Sequence, residues 1–161
     1  MSKIDQAFIL AAGFGKRLKP YTKTHPKPLV KVAGYPILDY VTDQLRDHGV
    51  RKLVINSHYK AEQIHDYAQN LQGFDEVIIS HEDEILETGG GIKKALCYFE
   101  NQEFFTLSGD SFWDNGANDP ALKRLESFWD TQKMDIAMLL QPLDSMIGQG
   151  CGDYDFINDA G

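Results

Sequence analysis

Residues 10–29 read LAAGFGKRLKPYTKTHPKPL, a glycine-containing turn that is rich in cations and ends in Pro-Lys-Pro-Leu. The apolar run AFILAA (7–12) leads directly into it, which predicts a buried strand that ends where the turn begins. Residues 6–38 contain no Asp or Glu but six of the 16 Lys and Arg, whereas the other residues carry all 24 acids. Gly13 and Gly15 allow backbone N–H groups to face an anion without an intervening Cβ. The stretch therefore predicts a site for a multiply charged anion such as a phosphate.

Strand-like apolar runs alternate with amphipathic helical stretches along the rest of the chain. The predicted strands are 7–12, 52–56, 76–81, 104–110 and 135–141, and the predicted helices are 37–48, 61–71, 91–99 and 120–129. Asp119 is the expected N-cap of the last helix, with Pro120 at its first position. This alternation predicts an α/β fold with a doubly wound, mostly parallel sheet of Rossmann-like type, in one domain spanning 1–161. Ligands are then expected at the carboxyl ends of the strands.

Composition argues against several classes of partner. The net charge of −8 disfavours a nucleic-acid-binding protein, which needs a broad basic face. No apolar stretch approaches the roughly 20 residues of a membrane span, and the N-terminus has no signal-peptide pattern. The two cysteines form no CxxC pair and are read as reduced thiols. These features predict a cytoplasmic protein without nucleic-acid or membrane partners.

The cationic turn does not fit the two common phosphate motifs. No GK[ST] follows the first glycine as in a Walker loop, and Leu18 stands where GxGxxG requires its third glycine. Its own pattern, GxGxRLxP followed by PKPL, resembles the LxxGxGxRLxPLT and PKPL signature of sugar-1-phosphate nucleotidylyltransferases. Only Tyr21 departs from that signature, in which leucine is usual. The alternative interpretation is a basic surface loop.

A second segment extends the resemblance. Residues 86–91 (LETGGG) are similar to the corresponding segment of the muramate- and mannose-type uridylyl- and guanylyltransferases. The resemblance implies that these glycines lie flat against the nucleobase and ribose, although alone they could form a flexible helix entry. The nucleotide-binding residues that it implies are Leu10, Ala11, Ala12, Gly13, Gly15, Lys16, Arg17, Glu87, Thr88, Gly89 and Gly90.

The same resemblance implies a catalytic and metal site. Arg17 is expected on the β- and γ-phosphates, and Lys27 on the α-phosphate and the acceptor phosphate. Asp110, at the end of the fourth strand, is the expected ligand of Mg²⁺. The implied reaction joins a nucleoside triphosphate, UTP ahead of GTP, to a sugar 1-phosphate and releases pyrophosphate. His58 and Tyr59 are expected either to line the sugar pocket or to form a plain loop.

The C-terminal residues suggest that the chain is part of a longer protein. A short strand over 153–157 is followed by a turn that normally introduces a partner strand. The missing part would hold strands of the sugar pocket and a second metal ligand, and the unpaired strand could join two copies in a homo-oligomer. Two other functions remain open: a choline-phosphate-type cytidylyltransferase, and a nucleotide-binding fragment without catalytic activity.

Overall fold

A computed structural model of the chain describes residues 3–100, 102–116 and 118–142. Its strands are β1 (Gln6–Leu10), β2 (Lys31–Val32), β3 (Tyr35–Pro36), β4 (Lys52–Ser57), β5 (Glu76–His81) and β6 (Phe105–Ser108). Its α-helices are α1 (Ile37–His48), α2 (Ala61–Asn70), α3 (Glu87–Ala95) and α4 (Ala121–Phe128). Over these residues, no helix combines the length and apolarity needed to cross a bilayer.

Four parallel strands form the main sheet in the order β5-β4-β1-β6, and β2 and β3 form a separate antiparallel pair. From β1 the sheet extends in one direction through β4 to β5, and β6 then returns to the other side of β1. The strand order therefore reverses at β1, and this is the point at which α/β sheets bind ligands. The prediction of an α/β fold with a mostly parallel sheet is confirmed.

Two hydrophobic clusters cover the two faces of the sheet. Alternate residues of β1 point to opposite sides, so Ala7 and Ile9 pack with α1 and α2, whereas Phe8 packs with α3. Phe8 and Ile9 have no exposed surface. β1 is therefore buried on both faces, as its unbroken apolar sequence predicts.

The first two helices agree with the sequence pattern. α1 is followed by Gly49 as its C-cap residue, which adopts φ 95° and donates its N–H to the carbonyls of Leu45 and Arg46. A left-handed glycine of this kind is a common way to end a helix. α2 ends one residue earlier than the sequence predicts.

The third helix begins earlier than predicted. α3 starts at Glu87 rather than at residue 91, so all three glycines of LETGGG lie inside it. It ends at Ala95 and continues as a 3-10 turn over Leu96–Tyr98. Glycine is a poor helix former, which is why the sequence suggested a later start. A buried contact, described below, fixes the residue before the helix and overrides this preference.

The expected N-cap of the fourth helix is also wrong. α4 begins at Ala121 with Pro120 at the N-cap, and the side chain of Asp119 pairs instead with Lys123 Nζ at 3.2 Å. Asn115 Oδ1 accepts the N–H of Ala121 at 2.8 Å. The first turn is therefore capped by a residue outside the helix and its flanking positions, which a pattern of adjacent residues does not indicate.

The predicted strand at 135–141 is wrong, because this segment adopts no regular structure. A strand needs a neighbour that takes up its backbone hydrogen bonds, and within the described ranges β6 pairs with β1 alone. The apolar side chains point outward instead, and Ile136 is 80% exposed. The strand predicted at 153–157, and with it the proposed oligomer contact, lies outside the described residues.

Stability should depend on pH through His48, the last residue of α1. Its side chain is 6% exposed, and Nε2 lies 3.5 Å from Glu126 Oε2 of α4. Burial lowers the pKa of His48 below 6.5, and nearby Lys3 lowers it further, against the opposing effect of Glu126. Because the unfolded chain binds this proton more readily, the contribution is fully present above pH about 6.5 and is lost as the pH falls.

We expect His48→Gln to flatten the loss of unfolding free energy as the pH falls from about 6.5, the ordinary histidine pKa, to about 5. Urea unfolding at several pH values measures this slope. His25→Gln, which changes an exposed histidine, serves as the control and should leave the slope unchanged. Equal slopes for His48→Gln and the unsubstituted chain would contradict the assignment.

Candidate active site

A cleft of about 420 Å³ opens at the carboxyl ends of β1, β4 and β6. The loop after β1 forms one wall, and the residues that lead into α3 form another. Lys27, Ser108 and Asp110 close one end. The lining residues are Leu10, Ala11, Ala12, Gly13, Phe14, Gly15, Lys16, Arg17, Leu18, Lys27, Pro28, Asn56, Glu82, Ile85, Glu87, Thr88, Ser108 and Asp110.

This cleft brings together most of the residues selected from the sequence. Those that line it are Leu10, Ala11, Ala12, Gly13, Gly15, Lys16, Arg17, Lys27, Glu87, Thr88 and Asp110. Gly89 and Gly90 do not line it but lie in the first turn of α3, directly after Thr88. The three separate motifs therefore surround one cavity.

Gly15 allows the loop to fold back on the Pro-Lys-Pro segment. It adopts φ 59°, and a Cβ at this position would lie 2.8 Å from Thr22 Cγ2 and 2.9 Å from Lys27 Cβ. Thr22 Oγ1 donates to the carbonyl of Gly15 at 3.0 Å, and the hydroxyl of Tyr59 donates to the carbonyl of Thr22 at 2.8 Å. The backbone conformation and the close contact thus both require glycine here.

Lys27 and Asp110 form an ion pair at one end of the cleft. Lys27 Nζ donates to Asp110 Oδ2, and Ser108 Oγ donates to Asp110 Oδ1. Lys27 starts a 3-10 turn over Lys27–Leu29, with Pro26 before it and Pro28 within it. The prolines restrict the backbone, so the lysine projects from a rigid segment.

The surroundings of Asp110 favour its ionised form. Partial burial raises the pKa of Asp110, but hydrogen bonds from Lys27 and Ser108, together with the Lys27 charge, outweigh that effect. The net pKa is lower than the ordinary value of 3.8. Asp110 is therefore a carboxylate at neutral pH and is available as an anionic ligand.

Arg17 and Lys16 supply further positive charge. Both are exposed side chains on the 3-10 turn Lys16–Leu18, and neither pairs with a carboxylate within the part of the chain described. Lys16 Nζ lies 5.2 Å from the centre of the Phe14 ring. Two cations at the rim of a cleft, neither of them neutralised by a carboxylate of the described residues, favour an anionic ligand.

The cleft offers Mg²⁺ one carboxylate rather than a complete set of protein ligands. In the described ranges, no group of three His, Cys, Asp or Glu residues is placed to hold a metal. Mg²⁺ commonly binds one or two carboxylates and takes its other ligands from water and substrate phosphates. Asp110, with the adjacent Ser108 hydroxyl, fits that kind of shared site.

Comparison with known proteins identifies the family. The family described as "Nucleotidyl transferase" matches residues 6–143. This chain belongs to the nucleotidyl transferase family. N-acetylmuramate alpha-1-phosphate uridylyltransferase from Caulobacter vibrioides is 35% identical over 146 residues, which are 88% of this chain and 60% of that protein.

Solved structures of related proteins agree with this assignment. HddC from Yersinia pseudotuberculosis, complexed with GMP-PN, is 35% identical with a TM-score of 0.60 over 68% of this chain and 49% of that chain. CTP:phosphocholine cytidylyltransferase from Streptococcus pneumoniae is 28% identical with a TM-score of 0.57, over 70% and 48% of the two chains. Our chain thus spans about half to three-fifths of the length of these relatives. The names of these relatives specify different nucleotides, so membership of the family does not identify the nucleotide that this chain binds.

Two buried residues of this nucleotidyl transferase cleft, Asn56 and Glu82, are not among those predicted from the sequence. Asn56 belongs to β4 and Glu82 follows β5, and both line the cleft. Their position in the sequence could have indicated that they line the cleft, because polar residues at the carboxyl ends of parallel strands face the ligand edge of the sheet. Asn56 Oδ1 accepts the N–H groups of Ala11 and Ala12. This side-chain contact is also why β1 ends at Leu10, two residues earlier than predicted.

His58 and Tyr59 support the loop from behind and do not line the cleft. The ring of Phe14 meets that of His58 edge-on at 5.4 Å and lies 5.7 Å from that of Tyr59. His58 Nδ1 lies 2.9 Å from the carbonyl oxygen of Glu82. Both residues lie in the loop between β4 and α2, and their expected part in a sugar pocket stays a prediction.

Two glycines of α3, Gly89 and Gly91, should respond differently to substitution. A Cβ on Gly91 would lie 2.9 Å from both Asn56 Nδ2 and Glu82 Oε1, whereas one on Gly89 would have no atom within 4 Å. We expect Gly91→Ala to destabilise the fold by about 1–3 kcal/mol through overpacking. Gly89→Ala, the matched control, should leave stability unchanged or raise it by up to about 1 kcal/mol, since alanine favours helix. Thermal unfolding without nucleotide measures both, and equal melting temperatures for the two variants would contradict the packing.

Proposed function

We propose that this chain carries the nucleotide-binding part of an enzyme that transfers a nucleotidyl group from a nucleoside triphosphate to a sugar 1-phosphate. The observation that carries the proposal is the Lys27–Asp110 pair, which lies in the same cleft as Arg17 and the glycine loop. An exchangeable cation and a potential metal ligand are thus adjacent, beside a loop that favours phosphates. We place the reaction in the cytoplasm.

The chemistry requires little beyond alignment and charge neutralisation. The attacking oxygen belongs to a phosphate monoester whose second pKa is about 6, so it is already largely ionised at pH 7. No general base has to remove a proton. The barrier is then lowered by holding the two anionic substrates together and by stabilising charge on the phosphate that is attacked.

Lys27 is proposed to stabilise the phosphates at the reaction centre. Its ammonium group is now paired with Asp110, and phosphate oxygens are an equivalent anionic partner. The rigid Pro-Lys-Pro backbone limits where Nζ can move. When Lys27 turns to the α-phosphate and the acceptor phosphate, the Asp110 oxygens are released.

Arg17 and Asp110 are proposed to act on the leaving pyrophosphate. The planar guanidinium of Arg17 can bind two phosphate oxygens at once, which suits the β- and γ-phosphates. Asp110 would hold Mg²⁺, which when bound supplies positive charge to the triphosphate. The backbone of Gly15 and Lys16 would contact the phosphates.

The loop backbone also restricts how the base is bound. Ala11 and Ala12 direct their N–H groups to Asn56, so these two donors do not face the cleft. Base contacts from this wall would therefore use Gly13 and the remaining groups of residues 10–12. Glu87 and Thr88 line another part of the cleft, and Gly89 and Gly90 follow them in α3. Not every amide of the loop is therefore available to contact the base.

We propose UTP as the nucleotide, ahead of GTP. The Caulobacter uridylyltransferase, which is 35% identical over 88% of this chain, supports this order. The similarity to the Streptococcus cytidylyltransferase favours a second candidate, the transfer of a cytidylyl group to phosphocholine.

Loss of Lys27 should affect turnover more than binding. We expect Lys27→Ala to lower kcat by about two orders of magnitude or more, which is typical when a charge contact to the transition state is removed. The measurement is pyrophosphate release by a preparation whose unsubstituted form is active. Lys23→Ala removes an exposed cation of the same segment that does not line the cleft, and it should leave kcat nearly normal. Near-normal turnover of Lys27→Ala would contradict the role assigned to Lys27 at the reaction centre.

A panel of substrates separates the candidate functions. Pyrophosphate release is measured with UTP, GTP and CTP, each against several sugar 1-phosphates and against phosphocholine. We expect release with UTP and a sugar 1-phosphate, and calorimetry should show Mg·UTP binding. Release with CTP and phosphocholine alone would establish the second candidate. Tight Mg·NTP binding without release from any acceptor would instead identify a nucleotide-binding chain without catalytic activity.

A further inference from the structure

A series of buried hydrogen bonds connects two walls of the cleft, and two of its residues, Asn56 and Glu82, also line the cavity. Asn56 is 2% exposed and Glu82 is 1% exposed, although both are polar. Asn56 Nδ2 donates to Glu82 Oε1 at 2.8 Å, and Glu82 Oε2 accepts the N–H of Leu86 at 3.0 Å. Leu86 is the N-cap residue of α3. We call this series of hydrogen bonds the bridge; it runs from Ala11 and Ala12 through Asn56 and Glu82 to Leu86.

The loop end of the bridge continues the hydrogen bonding of the sheet. The ladder between β1 and β4 ends with the pair Ile9 and Ile55, so Asn56 lies one position beyond this ladder while still pairing with β5. Its Oδ1 accepts the N–H groups of Ala11 and Ala12, the latter at 3.1 Å. These amides would otherwise be buried donors without partners, which is costly. The Asn56 side chain therefore helps to fix the direction in which the loop leaves the sheet, together with the backbone hydrogen bond from Tyr59 to the carbonyl of Ala12.

The α3 end of the bridge depends on a buried carboxylate. Within the described ranges no Lys, Arg or His forms an ion pair with Glu82, so the buried carboxyl group relies on hydrogen-bond donors. Both oxygens of Glu82 accept in this arrangement, and the amides of Ala11 and Ala12 can only donate. Only a side chain with an acceptor toward the loop and a donor toward Glu82 satisfies both ends, and the Asn56 amide is such a group.

We propose that Asn56 and Glu82 are positioning residues that hold the glycine loop and the start of α3 in the relative arrangement that binds the nucleotide. This inference rests on the proposed function, because it concerns the same cleft. Neither residue needs to touch the substrate for this role. Since the bridge acts on both substrate-facing walls before any reaction, its loss should weaken nucleotide binding and raise KM more than it lowers kcat.

A polarity exchange tests the bridge at constant shape. Asn56→Asp places a carboxylate against Glu82, so two acceptors face each other. In Glu82→Gln, the new amide nitrogen must face either Asn56 Nδ2 or the Leu86 N–H, so two donors face each other in one of these contacts. In the double variant, the new carboxylate at position 56 would accept from the loop amides and from the new amide at position 82, whose carbonyl would accept from Leu86. The double variant has the same net charge and the same number of hydrogen bonds as the unsubstituted chain.

We expect Asn56→Asp to weaken Mg·UTP binding by about tenfold or more by calorimetry, in line with a lost buried hydrogen bond, and Glu82→Gln to weaken it less. The double variant should recover to within about threefold of the unsubstituted chain. Hydrogen exchange without nucleotide provides the second measurement: the Leu86 amide should lose protection in Asn56→Asp and regain it in the double variant. A merely destabilised protein would lose protection throughout the sheet instead.

The outcomes separate this inference from the proposed function. Failure of the unsubstituted chain to bind Mg·UTP, Mg·GTP and Mg·CTP would overturn both. Normal binding by the unsubstituted chain and by Asn56→Asp would overturn the bridge alone. If Glu82→Gln weakens binding and the double variant stays equally weak, Glu82 contacts the nucleotide directly and the positioning role is wrong.

Discussion

The central position of β1 is the constraint on which the rest of the molecule depends. This strand pairs with β4 on one side and β6 on the other, and its residues are buried against helices on both faces. Because a neighbouring strand lies on each edge of β1 and helices cover each face, a shift by one residue would move its apolar side chains to the wrong face. The start of the cationic loop is consequently fixed, and so is its distance from the ends of β4 and β6. Lys27 and Asp110, 83 residues apart, meet because of that arrangement.

The Lys27–Asp110 pair contributes to function more than to stability. The two side chains are 29% and 28% exposed, so the pair is partly solvated. Ion pairs near the surface typically contribute about 0–1 kcal/mol, because solvent screens them and both side chains lose freedom. Such a pair is readily exchanged for other partners. It keeps a cation and a carboxylate in place without holding them so tightly that a triphosphate could not separate them.

The sequence predicts local features of this fold well and features that depend on register poorly. Unbroken apolar runs locate β1 and β4, the spacing of Leu38, Val41 and Leu45 locates α1, and the cations and Asp110 indicate the cleft. Asn56 was missed because its importance arises only when β4 pairs with β1 in a register that places it one step past Ile9. The early start of α3 was missed for a similar reason. The Leu86 N–H meets Glu82 only in the folded chain, whereas the glycine penalty of about 1 kcal/mol per residue is visible in the sequence.

Four glycines of the loop and of α3 therefore fall into two groups with different physical origins. Gly15 and Gly91 are required by the protein itself, because a Cβ would approach side-chain atoms of this chain within 3 Å. At Gly13 and Gly89 a Cβ would meet no protein atom within 4 Å, and φ is ordinary at both. Folding gives no reason for glycine at these two positions, and in a helix it costs stability relative to alanine. Under the proposed function, their role is to let the backbone approach the nucleotide closely, which is a requirement of binding rather than of folding.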